Sequence, residues 1–163
     1  MAGKAGEAGK AGEAGEAGDG PRLEDQLCFA VYQAGHAFTR LYRQVLAELG
    51  LTYPQYLVML VLWERDGLSV KALGERLMLD SGTLTPLLKR LEAAGLVTRR
   101  RSREDERQVV LLLTEQGDAL RAKGRCVPGE MAAAIGDASP ADGALLAQLG
   151  RLRAALLAAA EAD

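Results

Sequence analysis

One stretch decides the fold: SGTLTPLLKRLEAAGLVTRRRSREDERQVVLLLT, residues 81–114. Its first half predicts a helix whose leucines recur on one face, with hydroxyl and basic residues on the other. Ser81 is expected to cap this helix and Gly95 to end it. Its second half holds two short β-type runs, 96–100 and 108–113, around a charged tip, which is typical of a β-hairpin. A short amphipathic helix followed by a charged hairpin indicates a winged helix-turn-helix, whose second helix enters the major groove of DNA.

The side chains expected to face DNA are hydroxyl-bearing or basic. On the helix they are Ser81, Thr83, Thr85, Lys89 and Arg90. On the hairpin they are Arg99, Arg100, Arg101, Arg103 and Arg107, and Asp105 is expected to hold a neighbouring arginine in position. Arginine pairs with phosphates and enters minor grooves. A solvated charged loop is the alternative for the hairpin alone, but its place directly after such a helix favours DNA binding.

Three helices are predicted upstream of this stretch. The first runs from near Asp25 to Gly50, with an apolar stripe at alternating spacings of four and three. The second starts at Pro54, is closed by Gly67 and is apolar nearly all round, so we expect it to be buried. The third is capped by Ser69. Together with residues 81–114 these helices place the winged core at about 54–114.

Downstream, Thr114 is expected to open a long helix through the 120s that Pro128 and Gly129 kink or break. A last helix is predicted to start at Ser139-Pro140. The fold is therefore mainly α with a small β-hairpin wing. The helices over about 25–50 and 115–160 carry more apolar surface than the winged core can cover, so we predict a homodimer built from both chain ends. The alternative is that they pack onto their own winged domain.

The whole-chain properties narrow the function. The 163 residues carry a formal charge of −2, so any DNA binding must come from a local patch. Residues 1–22 are an Ala/Gly-rich repeat expected to be a disordered tail, which leaves 23–163 as the folded part. The chain shows no signal peptide and no apolar run near the ~20 residues of a membrane span, so we expect a cytoplasmic protein without membrane contact. The sparse histidine and cysteine predict no metal site, and no cofactor is expected.

Cys28 lies near the start of the first helix, in the segment EDQLCFAVY. Tyr32 shares its face, four residues further on. Tyr42 is fourteen residues away, about 21 Å along the axis, so it could touch Cys28 only in a second, antiparallel chain; Tyr53 is a further candidate from the same end. A thiol near a helix N-terminus favours the thiolate, which peroxide oxidises to sulfenic acid. A buried cysteine with packing tyrosines stays open as the alternative.

From Leu23 to about residue 125 the chain resembles the MarR family, and within it the organic-hydroperoxide sensors of the OhrR type. The resemblance is carried by LEDQLCFAVY, LTYPQYLVMLVLWE, DSGTLTPLLKRLEAAGLVTRRRS and DERQVVLLLTEQG. It implies a homodimer that binds double-stranded operator DNA, represses its own gene and a neighbouring peroxidase gene, and leaves DNA when organic hydroperoxide oxidises the reactive cysteine. That cysteine matches Cys28, and its two hydrogen-bonding tyrosines match Tyr42 and Tyr53 of the partner chain.

Three questions stay open at this point. Cys126 is either a bystander or a resolving thiol, because in some relatives a second cysteine forms an intersubunit disulfide with the sensor.

The first alternative function is a MarR-type regulator that responds to a small aromatic ligand in the dimer crevice. It predicts that Cys28→Ser keeps induction. A thiol peroxidase is the second alternative. It is disfavoured because His36 is the single histidine and no second acid–base pair accompanies the thiol, so we expect a protein that is not an enzyme.

Overall fold

The protein is described by a computed structural model over residues 20–102, 108–138 and 143–162. The elements of these ranges are α1 (Leu27–Val45), α2 (Tyr53–Glu64), α3 (Val70–Leu77), α4 (Ser81–Ala93), β1 (Val97–Arg101), β2 (Val109–Leu113), α5 (Glu115–Ala119), α6 (Arg121–Gly124), α7 (Val127–Ile135) and α8 (Ala144–Ala160). Short 3₁₀ turns occupy Leu23–Asp25, Ala47–Leu49 and Gly136–Ala138. This order confirms the prediction of a mainly helical chain with one hairpin.

The chain divides into two units, Met1–His36 and Ala37–Asp163. In the first unit, the described residues form a 3₁₀ turn and the first part of α1, and none of them is buried. The second unit contains the core. Its buried apolar residues come from α2, α3, α4, β1, β2 and α7, and from the segments that precede α2 and β1. Each described helix is too short or too polar to cross a lipid bilayer.

Helix α2 lies at the centre of this core. Its first turn holds Pro54, as predicted, and the backbone N–H of Thr52 donates to Oε1 of Gln55 at 2.8 Å. The helix ends at Glu64, three residues before the predicted end at Gly67. The reason is tertiary: Asp66 turns the chain and accepts hydrogen bonds from the backbone N–H of Gly67 and from that of Leu113 on β2.

Helices α3 and α4 form the predicted helix-turn-helix. Ser69 caps α3, because its hydroxyl accepts from the backbone N–H of Ala72 at 3.1 Å. The prediction that Ser81 caps α4 is wrong: Ser81 is the first helical residue and Asp80 is the cap. The Asp80 carboxylate accepts from both the backbone N–H and the hydroxyl of Thr83, at 2.9 and 3.0 Å. A carboxylate has two acceptor oxygens for this purpose, and a serine hydroxyl has one.

The hairpin is confirmed with its register. Strands β1 and β2 pair antiparallel, with Val97 opposite Leu113 and Arg101 opposite Val109. The backbone N–H of Leu111 also donates to the carbonyl of Leu68 at 2.9 Å, which ties the hairpin to the loop before α3. Of the predicted tip, residues 101–107, Arg101 belongs to β1 and residues 103–107 lie outside the described residues.

The single long helix predicted after Thr114 is wrong. Thr114 does cap a helix, since its hydroxyl accepts from the backbone N–H of Gly117 at 3.0 Å, but three short helices, α5, α6 and α7, follow. The chain breaks before α7, and Pro128 lies in the first turn of α7. Backbone N–H groups in a first turn have no partner within the helix, so the missing N–H of proline costs no hydrogen bond there. Helix α8 starts at Ala144, and the predicted start at Ser139-Pro140 lies outside the described residues.

Most of the apolar stripe of α8 is exposed. Leu145, Leu149 and Leu156 are 46%, 44% and 62% exposed, and α8 has no buried residue. This exposure speaks against the alternative in which the last helix packs onto its own winged domain. The dimer itself stays a prediction.

Candidate functional site

The outward face of α4 carries the polar residues that the sequence places there. Ser81, Thr83, Thr85, Lys89 and Arg90 are all exposed, whereas the leucines of the opposite face are buried. The two hydrogen bonds that Thr83 donates lower the pKa of Asp80, so this cap is a carboxylate near neutral pH. The outward face of α4 therefore presents hydroxyls and two cations, and the Asp80 cap holds the first turn of this helix in place.

The arginines of the hairpin differ from one another in their surroundings. Arg100 and Arg101 are exposed on β1. Arg99 is half-buried, and its Nε lies 3.1 Å from Oε2 of Glu92 near the end of α4. This ion pair joins the wing to the recognition helix, a contact that sequence reasoning did not find. Three further predicted residues, Arg103, Asp105 and Arg107, lie outside the described residues.

Cys28 is the second residue of α1 and its side chain is exposed. Tyr32, one turn further along the helix, is also exposed. Its ring lies edge-on to the ring of His36, with centroids 4.3 Å apart, and 6.2 Å from the ring of Phe29. The helical position predicted for Cys28 is thus confirmed, while its role as a sensor stays a prediction.

Tyr42 and Tyr53, the other two predicted sensor residues, are brought together by the fold. Their rings stack with centroids 4.2 Å apart at an angle of 25°. Burial raises the pKa of both phenols, and the neighbouring Tyr53 adds to the effect on Tyr42. Both hydroxyls therefore keep their protons near neutral pH and are able to act as hydrogen-bond donors.

Two aromatic residues of α2 extend this pair, and sequence reasoning missed them. The ring of Tyr56 lies 6.1 Å from that of Tyr42, and also 6.1 Å from the indole of Trp63. Burial, with smaller contributions from Tyr42 and Tyr53, raises the pKa of Tyr56 to about 12. The sequence does contain a sign of their role: a Tyr and a Trp predicted to be buried in a mostly apolar helix need hydrogen-bond partners for their polar atoms.

Cys126 precedes α7 and is exposed. Its Sγ lies 3.7 Å from the carbonyl oxygen of Ala122, and it lines a cleft of about 390 Å³ together with Gln44, Lys123 and Glu130. Cys28 and Cys126 belong to different units of the chain. In residues 20–102, 108–138 and 143–162, no group of three or more histidine, cysteine or acidic side chains is placed to hold a metal ion.

A helix-turn-helix with a cationic outer face, followed by a basic hairpin, defines a winged-helix transcriptional regulator. The family model of the SarA/Rot transcriptional regulators matches residues 40–123. The chain belongs to this family of SarA/Rot/MarR-type winged-helix transcriptional regulators.

Three relatives illustrate the similarity. The HTH-type transcriptional regulator TtmR of Methylorubrum extorquens is 57% identical over 135 residues, which are 83% of this chain and 69% of that protein. The organic hydroperoxide resistance transcriptional regulator of Bacillus subtilis is 53% identical over 68% of this chain and 76% of its own length. Reduced AbfR bound to DNA, a protein of Staphylococcus epidermidis, superposes with a TM-score of 0.73 at 34% identity, over 82% of this chain and 92% of AbfR. AbfR has also been solved overoxidised on DNA and in a disulfide form.

Proposed function

We propose that this protein is a redox-sensing repressor. It binds operator DNA as a homodimer when reduced and leaves it when an organic hydroperoxide oxidises Cys28, which derepresses a peroxide-resistance gene. The observation that carries the proposal is the stacked pair of Tyr42 and Tyr53, two protonated phenols in a chain that is 53% identical to an organic hydroperoxide resistance regulator.

The DNA-binding half of the proposal rests on α4 and the hairpin. Lys89, Arg90 and Arg100 are exposed cations on these two elements, and the Asp80 cap holds the first turn of α4. Phosphates bind such cations, and base edges in the major groove accept or donate hydrogen bonds to hydroxyls. Reduced AbfR, a structural relative with the same fold, is bound to DNA.

The homodimer is supported by the uncovered leucines of α8 and by exposed apolar residues of α1, among them Leu27 and Val31. A second copy would bury both stripes and would place two recognition helices at a fixed spacing along DNA. In such a dimer, Tyr42 and Tyr53 of the partner subunit donate hydrogen bonds to the Cys28 thiolate.

The chemical step is a two-electron oxidation. The Cys28 thiolate attacks the terminal oxygen of the hydroperoxide, an S–O bond forms, the O–O bond breaks, and the alkoxide takes up a proton and leaves as an alcohol. The cysteine is oxidised to sulfenic acid and the peroxide is reduced. The sulfenic acid no longer accepts hydrogen bonds as a thiolate does, so the tyrosines move and the dimer shifts to a state that does not fit DNA.

A gel shift with the DNA upstream of the protein's own gene tests the proposal. Cumene hydroperoxide should release the wild-type protein, whereas the Cys28→Ser variant should bind and stay bound. Release of that variant by peroxide would disprove the sensor role. If a small aromatic compound instead releases both proteins, the ligand-responsive alternative is favoured.

Two further measurements sharpen the assignment. With a small thiol supplied as reductant, the protein should consume only a few equivalents of peroxide per subunit, because we propose a regulator and not an enzyme; many turnovers would favour the thiol peroxidase. Mass spectrometry without reductant tests Cys126: a dimer cross-linked between Cys28 and Cys126 supports its role as resolving thiol, and a lasting mixed disulfide of Cys28 with a small external thiol opposes it.

A further inference from the structure

We propose that Tyr56 and Trp63 are positioning residues that transmit movement of the sensor tyrosines to the base of the wing. This inference rests on the proposed function, since it concerns how oxidation of Cys28 lowers DNA affinity. It assigns a role to two side chains that touch neither DNA nor the sensor cysteine in the proposed mechanism.

The first link is the packing of the aromatic rings. Tyr42 stacks on Tyr53 and lies 6.1 Å from Tyr56, whose ring lies edge-on at 6.1 Å from Trp63. Tyr56 is 1% exposed and Trp63 is 8% exposed. Because a protein interior is close-packed, a ring at such a position has no free space into which it could move alone. A displacement of Tyr42 therefore reaches Tyr56 and Trp63.

The second link is a pair of hydrogen bonds to backbone carbonyls. The Tyr56 hydroxyl donates to the carbonyl of Gly124 at 3.0 Å, and Nε1 of Trp63 donates to the carbonyl of Gly117 at 2.9 Å. Both acceptors lie on the helices that directly follow the hairpin. A Cβ at Gly124 would collide with the indole ring, so the α6 backbone at Gly124 packs directly against this ring. A shift of either ring must break its hydrogen bond or move α5 and α6.

The third link connects α5 to both ends of the wing. The backbone N–H of Gly117 donates to the hydroxyl of Thr114, and that hydroxyl donates to the carbonyl of Gly95 at 2.6 Å. The backbone N–H of Thr114 donates to the carbonyl of Leu96 at 3.1 Å. Gly95 and Leu96 precede β1, and Thr114 follows β2. The aromatic chain from Tyr42 to Trp63 thus ends at the point where the hairpin leaves and rejoins the helical core.

Two conservative variants test this link. Tyr56→Phe keeps the ring and removes the hydroxyl, and Trp63→Phe keeps an aromatic ring and removes the indole N–H. Val58→Ala is the matched control, because Val58 is fully buried on the same helix and makes no side-chain hydrogen bond. Full-length proteins are compared by thermal unfolding, by the rate of dimedone trapping at Cys28 after cumene hydroperoxide, and by the anisotropy of a labelled duplex from upstream of the gene.

The expected result separates oxidation from its consequence. Both variants should form the sulfenic acid at the wild-type rate, while the ratio of oxidised to reduced Kd for DNA should shrink by about fivefold or more, the lower end of coupling between linked sites. Val58→Ala should keep the wild-type ratio even if its melting temperature falls.

The single tryptophan supplies a further readout. In the wild type and in Val58→Ala, oxidation should change the emission of Trp63, and in Tyr56→Phe this change should be reduced. The inference would be overturned if both variants kept the wild-type ratio of oxidised to reduced Kd for DNA. It would also be overturned if Val58→Ala reduced this ratio equally, or if the variants slowed the oxidation of Cys28 and left the ratio unchanged. Failure of the proposed function is distinguishable, because it would appear in the wild-type protein, which would then keep its DNA after oxidation.

Discussion

Replacement of Arg100 by alanine should flatten the salt dependence of DNA binding. Arg100 is exposed on β1, whereas its neighbour Arg99 is held 3.1 Å from Glu92. Each phosphate contact contributes about −0.9 to the slope of log K against log salt. In a homodimer the substitution removes two contacts, so the slope should become less steep by about 1.8. Between about 50 and 200 mM salt, the wild type should then lose about tenfold more affinity than the variant.

Fluorescence anisotropy with a labelled duplex at four or five salt concentrations measures this slope. Arg125→Ala is the control, because Arg125 is an exposed arginine between α6 and α7 and belongs to neither the recognition helix nor the hairpin. It should leave the slope unchanged. An unchanged slope for Arg100→Ala would refute the placement of β1 against the phosphate backbone, whatever its effect on affinity at one salt concentration. Equal slope changes in both variants would show a non-specific effect of charge.

Three further predictions concern stability. Gly124→Ala should destabilise the fold by about 1–3 kcal/mol in chemical denaturation, because its Cβ would collide with the Trp63 ring, whereas Gly35→Ala, with nothing within 4 Å, should not destabilise. The pKa of Tyr56 is raised to about 12, so the stability it contributes is complete below its unfolded value near 10 and is lost as the pH rises through 12; Tyr56→Phe should show a smaller loss of unfolding free energy over that range. The pKa of Asp80 is lowered, so its stabilising effect is present above its unfolded value and lost as the pH falls through the folded value; the melting temperatures of wild type and Asp80→Ala should converge in strong acid and differ at neutral pH.

The parts of this fold that could be predicted from sequence are those set by local patterns. The leucine spacing of residues 84–91 identifies the inner face of α4, and the two apolar runs around a charged tip identify the hairpin with nearly correct ends. Ser69 and Thr114 cap their helices as expected, because a cap bonds to a residue three positions away. The resemblance of short segments also led to the correct family.

Other features depended on surroundings that a local pattern does not contain. Asp80 and Ser81 are both acceptable caps, and the backbone conformation of the turn after α3 selects Asp80. The predicted long helix is broken into α5, α6 and α7. Gly117 of α5 and Gly124 of α6 both contact Trp63 of α2, and helix propensity alone did not reveal these contacts. The sequence pattern does not separate the half-buried Arg99 from the exposed arginines, because its partner Glu92 lies on another element, α4.

The amino-acid sequence by itself thus determined the winged helix-turn-helix, the cationic outer face of α4 and the candidate sensor Cys28. Only the tertiary structure decided that Tyr42 stacks on Tyr53, that Tyr56 donates to Gly124 across 68 residues, and that Trp63 donates to Gly117 across 54 residues. The physical reason is the range of the interactions. Helix periods, caps and turns are settled within a few neighbouring residues, whereas a buried phenol or indole finds its acceptor only after distant segments have packed together.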